Sequence, residues 1–261
     1  MIDISFTYAD LEFFLLILVR VTCFVHVAPL FGMTNTVPRQ VKIGLSIFIA
    51  YFLFFYLDHN EVVYNTLFEY TVIILKEVLT GFLIGWGAQL CMTITSFAGS
   101  ISDMEAGLTM VNLMDPLTQQ SATFSGVFYQ YMFSLFMLIS GMYEYLIKAL
   151  MDTFTLIPVN GAVFQTEALI GSLIRFMGDY IIIGFRICLP IFCVMLLLNC
   201  VLGILAKIAP QMNMFAVGMQ MKVLTGLSIM FLTVRMLPGA ADFIFREMRE
   251  LIAVFVGGMS G

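Results

Sequence analysis

Long runs of apolar residues, separated by short polar segments, dominate the chain. They lie at 11–31, 41–57, 67–101, 122–147, 168–206 and 223–237, with a weaker run at 240–256. A helix that crosses the hydrocarbon core of a bilayer, ~30 Å thick, needs about 20 apolar residues. The pattern therefore predicts an all-α, polytopic membrane protein built from helical hairpins.

Two of the runs are too long for one ordinary membrane crossing. As single helices, 67–101 and 168–206 would each exceed about 50 Å at ~1.5 Å per residue. We expect each to be a hairpin, a kinked helix or a helix that extends well beyond the bilayer. Pro190 favours a kink in the second run.

Composition supports a membrane protein. The chain has 261 residues, of which 61% are hydrophobic and 11% charged, and its mean hydropathy is +1.01. A soluble domain would carry about a quarter charged residues. No linker divides the chain, which predicts a single domain, and a net charge of −5 without a basic cluster argues against nucleic-acid binding.

No pattern of catalytic or metal-ligating residues is recognisable. His26 and His59 are distant in sequence, and the 5 cysteines all lie inside apolar runs. The His-Glu-x-x-His motif of zinc proteases does not occur. We expect no enzyme activity, no cofactor and no metal site.

Charged residues lie within several apolar runs, where each is costly and needs a polar partner. They are Arg20, Lys76, Glu77, Arg175, Asp179 and Arg186. The last three fall within about 40° of one helix face, because a helix turns ~100° per residue. We predict that these charges serve assembly against partner helices; a local ion pair with an arginine reaching the membrane interface, and a proton relay, are the alternatives.

Small residues predict one close helix contact. Gly81 and Gly85 are four residues apart, so they lie on the same face of a helix. In membrane proteins this spacing allows two helix backbones to approach closely.

The loops indicate orientation. Basic residues without acids occur in 34–42 and 207–222, whereas 58–69 holds three acids and no base. The positive-inside rule places the first two loops in the cytoplasm and the third outside it. The predicted cytoplasmic-loop residues are Pro38, Arg39, Lys42, Pro210, Gln211, Asn213 and Lys222.

Those two loops resemble each other. One contains Ala28-Pro29 followed by Lys42, and the other contains Ala209-Pro210 followed by Lys222. We expect an apolar helix to end at each Ala-Pro and each lysine to begin the next helix. Either two related hairpins occur in one chain, as in many transporters, or the similarity arose by chance.

The segment 107–116 is apolar but unsuited to a continuous helix. Met110, Val111, Leu113 and Met114 lie between Gly107 and Pro116, and Asn112 and Asp115 favour turns. Apolar irregular backbone cannot face lipid, so it must lie in protein or line a cavity. An apolar constriction excludes water and ions. We predict a plug; an ordinary interhelical loop is the alternative.

Three segments resemble a known family. They are 28–45, which begins Ala-Pro-Leu-Phe-Gly, 107–116, which ends in Asp-Pro, and 209–222, which begins Ala-Pro-Gln-Met-Asn. Together, in this order across nearly the whole chain, they resemble the FliR family of flagellar export-gate proteins. Virulence-type injectisome homologues share much of the pattern and remain an alternative, as does a secondary transporter.

The resemblance implies a role and partners. FliR proteins join FliP and FliQ in a helically wound assembly, through which unfolded flagellar subunits leave the cytoplasm, with FlhB and FlhA nearby. It implies a FliP-like part at 1–165, a FliQ-like hairpin at 166–261, and a plug at 107–120 in the lumen. It also implies the bacterial inner membrane, in the flagellar basal body. Leu108, Thr109 and Met114 depart from the family's glycine and phenylalanine pattern.

Overall fold

The computed structural model describes residues 8–29, 38–57, 64, 66–108, 113–114, 121–211 and 213–260. The helices are α1 (Tyr8–Val27), α2 (Arg39–Tyr56), α3 (Leu67–Ala106), α4 (Phe124–Ile139), α5 (Met142–Leu156), α6 (Thr166–Ile208), α7 (Met214–Thr233) and α8 (Leu237–Met259). Two short strands, β1 (Leu113–Met114) and β2 (Ser121–Ala122), lie between α3 and α4. The predicted all-helical membrane architecture is confirmed.

The two longest apolar runs form single helices. α3 has 40 residues and α6 has 43, which correspond to about 60 and 65 Å. The hairpin alternative is therefore wrong for both. Pro190 lies inside α6 and does not end it.

One apolar run divides into two helices. The run 122–147 contains the whole of α4 and the start of α5, and the two helices are bent by 69° relative to each other. Gly141 lies between them with φ of +71°, a left-handed conformation that glycine adopts without steric cost. Any residue with a β-carbon at this position would strain the left-handed backbone that forms the bend.

The two Ala-Pro loops begin alike and end differently. α1 ends at Val27 and α6 at Ile208, each just before Ala-Pro as predicted. Lys42 lies in the first turn of α2, but α7 begins eight residues before Lys222, so that lysine does not begin the helix. The side chain of Asn213 accepts a hydrogen bond from the Ala216 N–H at 3.4 Å and caps α7 earlier.

Several helices are suited to a membrane. By length and composition, α2, α6 and the stretch Ala216–Met259 could each cross a bilayer, and the bent pair of α4 and α5 adds a fourth if counted as one span. These counts refer to the described ranges alone. They agree with a membrane-embedded protein.

The chain forms two compact units. The first comprises Met1–Leu90, Gly141–Phe176 and Glu247–Gly261, and the second comprises Cys91–Ser140 and Met177–Arg246. Because the segments alternate along the chain, these units do not test a sequential division at 165/166. The FliP-like and FliQ-like parts stay a prediction.

Candidate functional site

A buried ion pair lies in the first unit. The Nε atom of Arg20 donates to Oε2 of Glu77 at 2.6 Å, and both side chains have 0% exposure. Arg20 lies on α1 and Glu77 on α3, so the pair joins two helices. It supplies the polar partner that the arginine requires within an apolar run.

Backbone groups form hydrogen bonds with both members of this ion pair. The Nη1 atom of Arg20 donates to the carbonyl oxygens of Thr153 at 3.2 Å and Ile157 at 3.1 Å. The other oxygen of Glu77 accepts from the Asn160 N–H at 3.1 Å. The end of α5 thereby joins α1 and α3, and carbonyls near a helix C-terminus favour a cation.

The glycines of α3 allow this close approach. A β-carbon at Gly81 would meet the carbonyl oxygen of Arg20, and one at Gly85 would lie 3.0 Å from that of Phe24. The helix contact predicted from these glycines is therefore made with α1. The backbone contact brings the side chains of Arg20 and Glu77 within hydrogen-bonding distance.

A second polar cluster lies in the second unit, where α3 ends and α4 begins. Oδ2 of Asp103 accepts from the Ser125 N–H at 2.7 Å, and Oδ1 accepts from the Ser125 hydroxyl. The first N–H groups of a helix have no partner within it, so the buried Asp103 carboxylate caps α4. The Ser125 hydroxyl also lies 3.6 Å from the sulfur of Met230 on α7.

Two glycines bring the same helix ends together. A β-carbon at Gly99 would meet the Cα and N atoms of Gly126, so the backbones of α3 and α4 are in contact there. We call Gly99, Asp103, Ser125 and Gly126 the loop base, because they hold together the two ends of the loop at 107–123.

The loop itself contains a short antiparallel ladder. Leu113 pairs with Ala122 and Met114 with Ser121. The backbone at Leu113 and Met114 is therefore paired rather than irregular, which corrects the sequence-based expectation for these two residues. The remaining plug candidates other than Gly107, namely Met110, Val111, Asn112, Asp115 and Pro116, lie outside the described residues.

The other predicted charges do not join either cluster. Lys76 and Asp179 are half-buried, and Arg175 and Arg186 are exposed. The Arg186 guanidinium lies 5.7 Å from the ring centroid of Phe243. Their role in assembly stays a prediction.

Sequence reasoning missed the Asp103–Ser125 contact. The two residues are 22 positions apart and belong to no recognised spacing. An available signal was the position of Asp103, two residues beyond an apolar run.

Residues 11–248 match the sequence profile of the family described as bacterial export proteins, family 1. The chain belongs to this family. Its FliR character, expected from three motifs, is confirmed by relatives named flagellar biosynthetic protein FliR. The one from Bacillus subtilis is 29% identical and covers 92% of this chain and 95% of its own.

Other FliR proteins agree over a similar extent. The protein from Escherichia coli is 27% identical, covering 90% of this chain and 89% of its own. The protein from Aquifex aeolicus is 26% identical and covers 91% of both. This FliR-family chain thus spans nearly the full length of these relatives, and the family is one of export proteins rather than enzymes.

Proposed function

We propose that the chain is a subunit of the flagellar protein-export gate, in which the loop at 107–123 closes the passage for unfolded flagellar subunits. The observation that carries the proposal is the loop base, which fixes both ends of an apolar loop. The relatives are named for flagellar biosynthesis, which favours the flagellar role over an injectisome role.

The loop base suits a plug for a mechanical reason. The Asp103 carboxylate and the Gly99–Gly126 contact fix the loop's ends. Among the described residues, the β1–β2 ladder consists of two residue pairs. A short ladder opens at a small energetic cost compared with a buried helix contact. The loop can therefore yield to a passing chain and return to the same place.

Partner subunits are supported by the surface of the chain. Large apolar side chains are exposed along α2, including Phe48, Phe52 and Phe55 at 58–60% exposure. Charges such as Arg175 and Asp179 in the long apolar helix α6 need polar partners. We propose FliP and FliQ as neighbours in the bacterial inner membrane, with FlhB and FlhA at the cytoplasmic side.

The test is replacement of residues 109–120 by a glycine–serine linker of the same length, with the loop base retained. We expect the variant to enter the complex with FliP and FliQ at the normal level. Conductance of the membrane to ions should rise, because the apolar seal is gone. The control is replacement of residues 58–63, in the loop predicted to lie outside the cytoplasm, by a glycine–serine linker of their own length. This control variant should leave conductance unchanged.

Two outcomes would contradict the proposal. Normal conductance in an assembled 109–120 variant would remove the plug role. Purification of the chain as a stable, solute-binding monomer, without FliP or FliQ, would favour a transporter instead.

A further inference from the structure

A cavity in the second unit is lined by both apolar and basic residues. Its volume is about 450 Å³. It lies between α6, the short turn at Val234–Met236 and the start of α8. The apolar lining includes Ile183, Ile187, Met236 and Leu237, and the basic lining consists of Arg186 and Arg235.

The arginines at this cavity have no acidic partner among the described residues. Arg186 and Arg235 are both exposed and form no salt bridge there. The guanidinium of Arg246 lies 4.6 Å from the Phe243 ring that Arg186 also contacts, which adds a third positive charge. Asp242 is exposed on the same helix and likewise forms no salt bridge in the described part of the chain. The cavity therefore favours an anion.

The position of the arginines along their helices indicates their depth. Arg186 directly precedes a charge-free segment of 20 residues at 187–206, which is about one hydrocarbon thickness of ~30 Å. Arg235 follows α7, which also has 20 residues. Both arginines thus lie about 30 Å from the turn that joins α6 and α7. When that turn, which follows Lys207, lies at one membrane surface, the arginines reach the level of the phosphates at the other.

We propose that this cavity binds an anionic phospholipid. The headgroup phosphate accepts hydrogen bonds from Arg186 and Arg235, and an acyl chain lies along Ile187 and Pro190, toward the charge-free segment. Arginine binds phosphate through two parallel N–H groups. Basic pockets between membrane helices bind anionic headgroups in this way.

The surroundings favour lipid over an acidic side chain of a partner. Apolar residues on both helices near the cavity are exposed; they are Ile182, Phe185, Leu189, Phe231 and Leu232, at 47–79% exposure. A carboxylate would satisfy the arginines but leave the apolar lining empty. A phospholipid supplies an anion for the arginines and an acyl chain for the apolar lining. Under this proposal Arg186 therefore contacts lipid rather than a subunit.

The test is native mass spectrometry of the full-length chain, in the complex with which it purifies, incubated with phosphatidylglycerol or phosphatidylcholine. We expect wild type to retain phosphatidylglycerol at least tenfold better than phosphatidylcholine. The double variant Arg186→Gln/Arg235→Gln should lose at least tenfold of that retention. Arg186→Lys/Arg235→Lys keeps the charge but loses the paired N–H groups, so its retention should lie between those of wild type and the glutamine variant.

Controls separate this site from general charge effects. Arg39→Gln/Arg249→Gln removes two exposed arginines outside the cavity and should retain phosphatidylglycerol like wild type. Unchanged retention in Arg186→Gln/Arg235→Gln would overturn the proposal. So would displacement of the lipid by inorganic phosphate. A photo-crosslinker at Ile187 that captures a protein subunit instead of phospholipid would assign the cavity to a partner.

Discussion

The Nε atom of Arg20 and Oε2 of Glu77 lie 2.6 Å apart with both side chains fully buried. The two residues are 57 positions apart, on α1 and α3. Backbone groups near the end of α5 occupy further hydrogen-bonding positions of both side chains. A charge pair in this setting is stable only as a complete set, because each member alone would be a buried, uncompensated charge.

We predict that Glu77→Gln strongly destabilises the chain. Loss of one partner leaves Arg20 charged and buried, which costs about 3–5 kcal/mol in comparable pairs. The expected result is a lower Tm of the purified complex and reduced accumulation in membranes. Trp86 fluorescence during heating measures the first, and immunoblotting the second.

Two companion variants make this prediction specific. Glu69→Gln is the same change at an exposed position of the same helix and should change Tm little. Arg20→Met/Glu77→Leu removes both charges and should cost less than the two single changes together. A Tm for Glu77→Gln equal to that of Glu69→Gln would contradict the role of the pair.

The close contact of α1 and α3 predicts a difference between two glycines. Gly81→Ala would force its new methyl group against the Arg20 carbonyl. Overpacking of this kind costs about 1–3 kcal/mol. Gly44→Ala, in α2, meets no atom within 4 Å, and it should stabilise the helix by roughly 0.5–1 kcal/mol. Thermal unfolding of both variants checks this, and equal shifts would refute the contact.

Asp103 predicts a pH dependence of stability. Burial raises the pKa of its carboxyl group. The hydrogen bonds from Ser125 lower that pKa, but by a smaller amount than burial raises it. Between the ordinary pKa of ~3.9 and the raised value, the folded state holds more protons than the unfolded state. Stability contributed by this group therefore falls as pH rises through that window, and is constant above it. Asp103→Asn should therefore show a smaller loss of stability as the pH rises.

The measurement is Tm between pH 4 and 7 for wild type, Asp103→Asn and Asp242→Asn. Asp242 is exposed, so its variant should keep the wild-type slope. If Asp103→Asn shows that slope as well, another group is responsible.

Asp179 tests the predicted assembly surface. Asp179→Leu removes the acid one turn away from Arg175 on the same helix face, so Arg175 loses a nearby opposite charge at the predicted subunit contact. We expect recovery of FliP and FliQ with the chain to fall several-fold in pull-down experiments. Asp242→Leu is the matched control and should retain normal recovery. Wild-type recovery and motility in Asp179→Leu would exclude this role.

The sequence predicted where the helices lie better than it predicted where they bend or begin. The ends at Val27 and Ile208 were predictable because Ala-Pro follows each. The bend at Gly141 was not, since the apolar run continues across it. The start of α7 was misjudged because Asn213, rather than Lys222, caps the helix.

By itself, the sequence determined that this is a helical membrane protein of the FliR family, because apolar run length and three ordered motifs are local properties of the chain. It also showed that Arg20 needs a polar partner. Only the tertiary structure decided that Glu77 is that partner and that Asp103 caps α4. Such contacts depend on which helices lie side by side. The partners are 57 positions apart in one pair and 22 in the other, so no periodic pattern in the sequence reveals them.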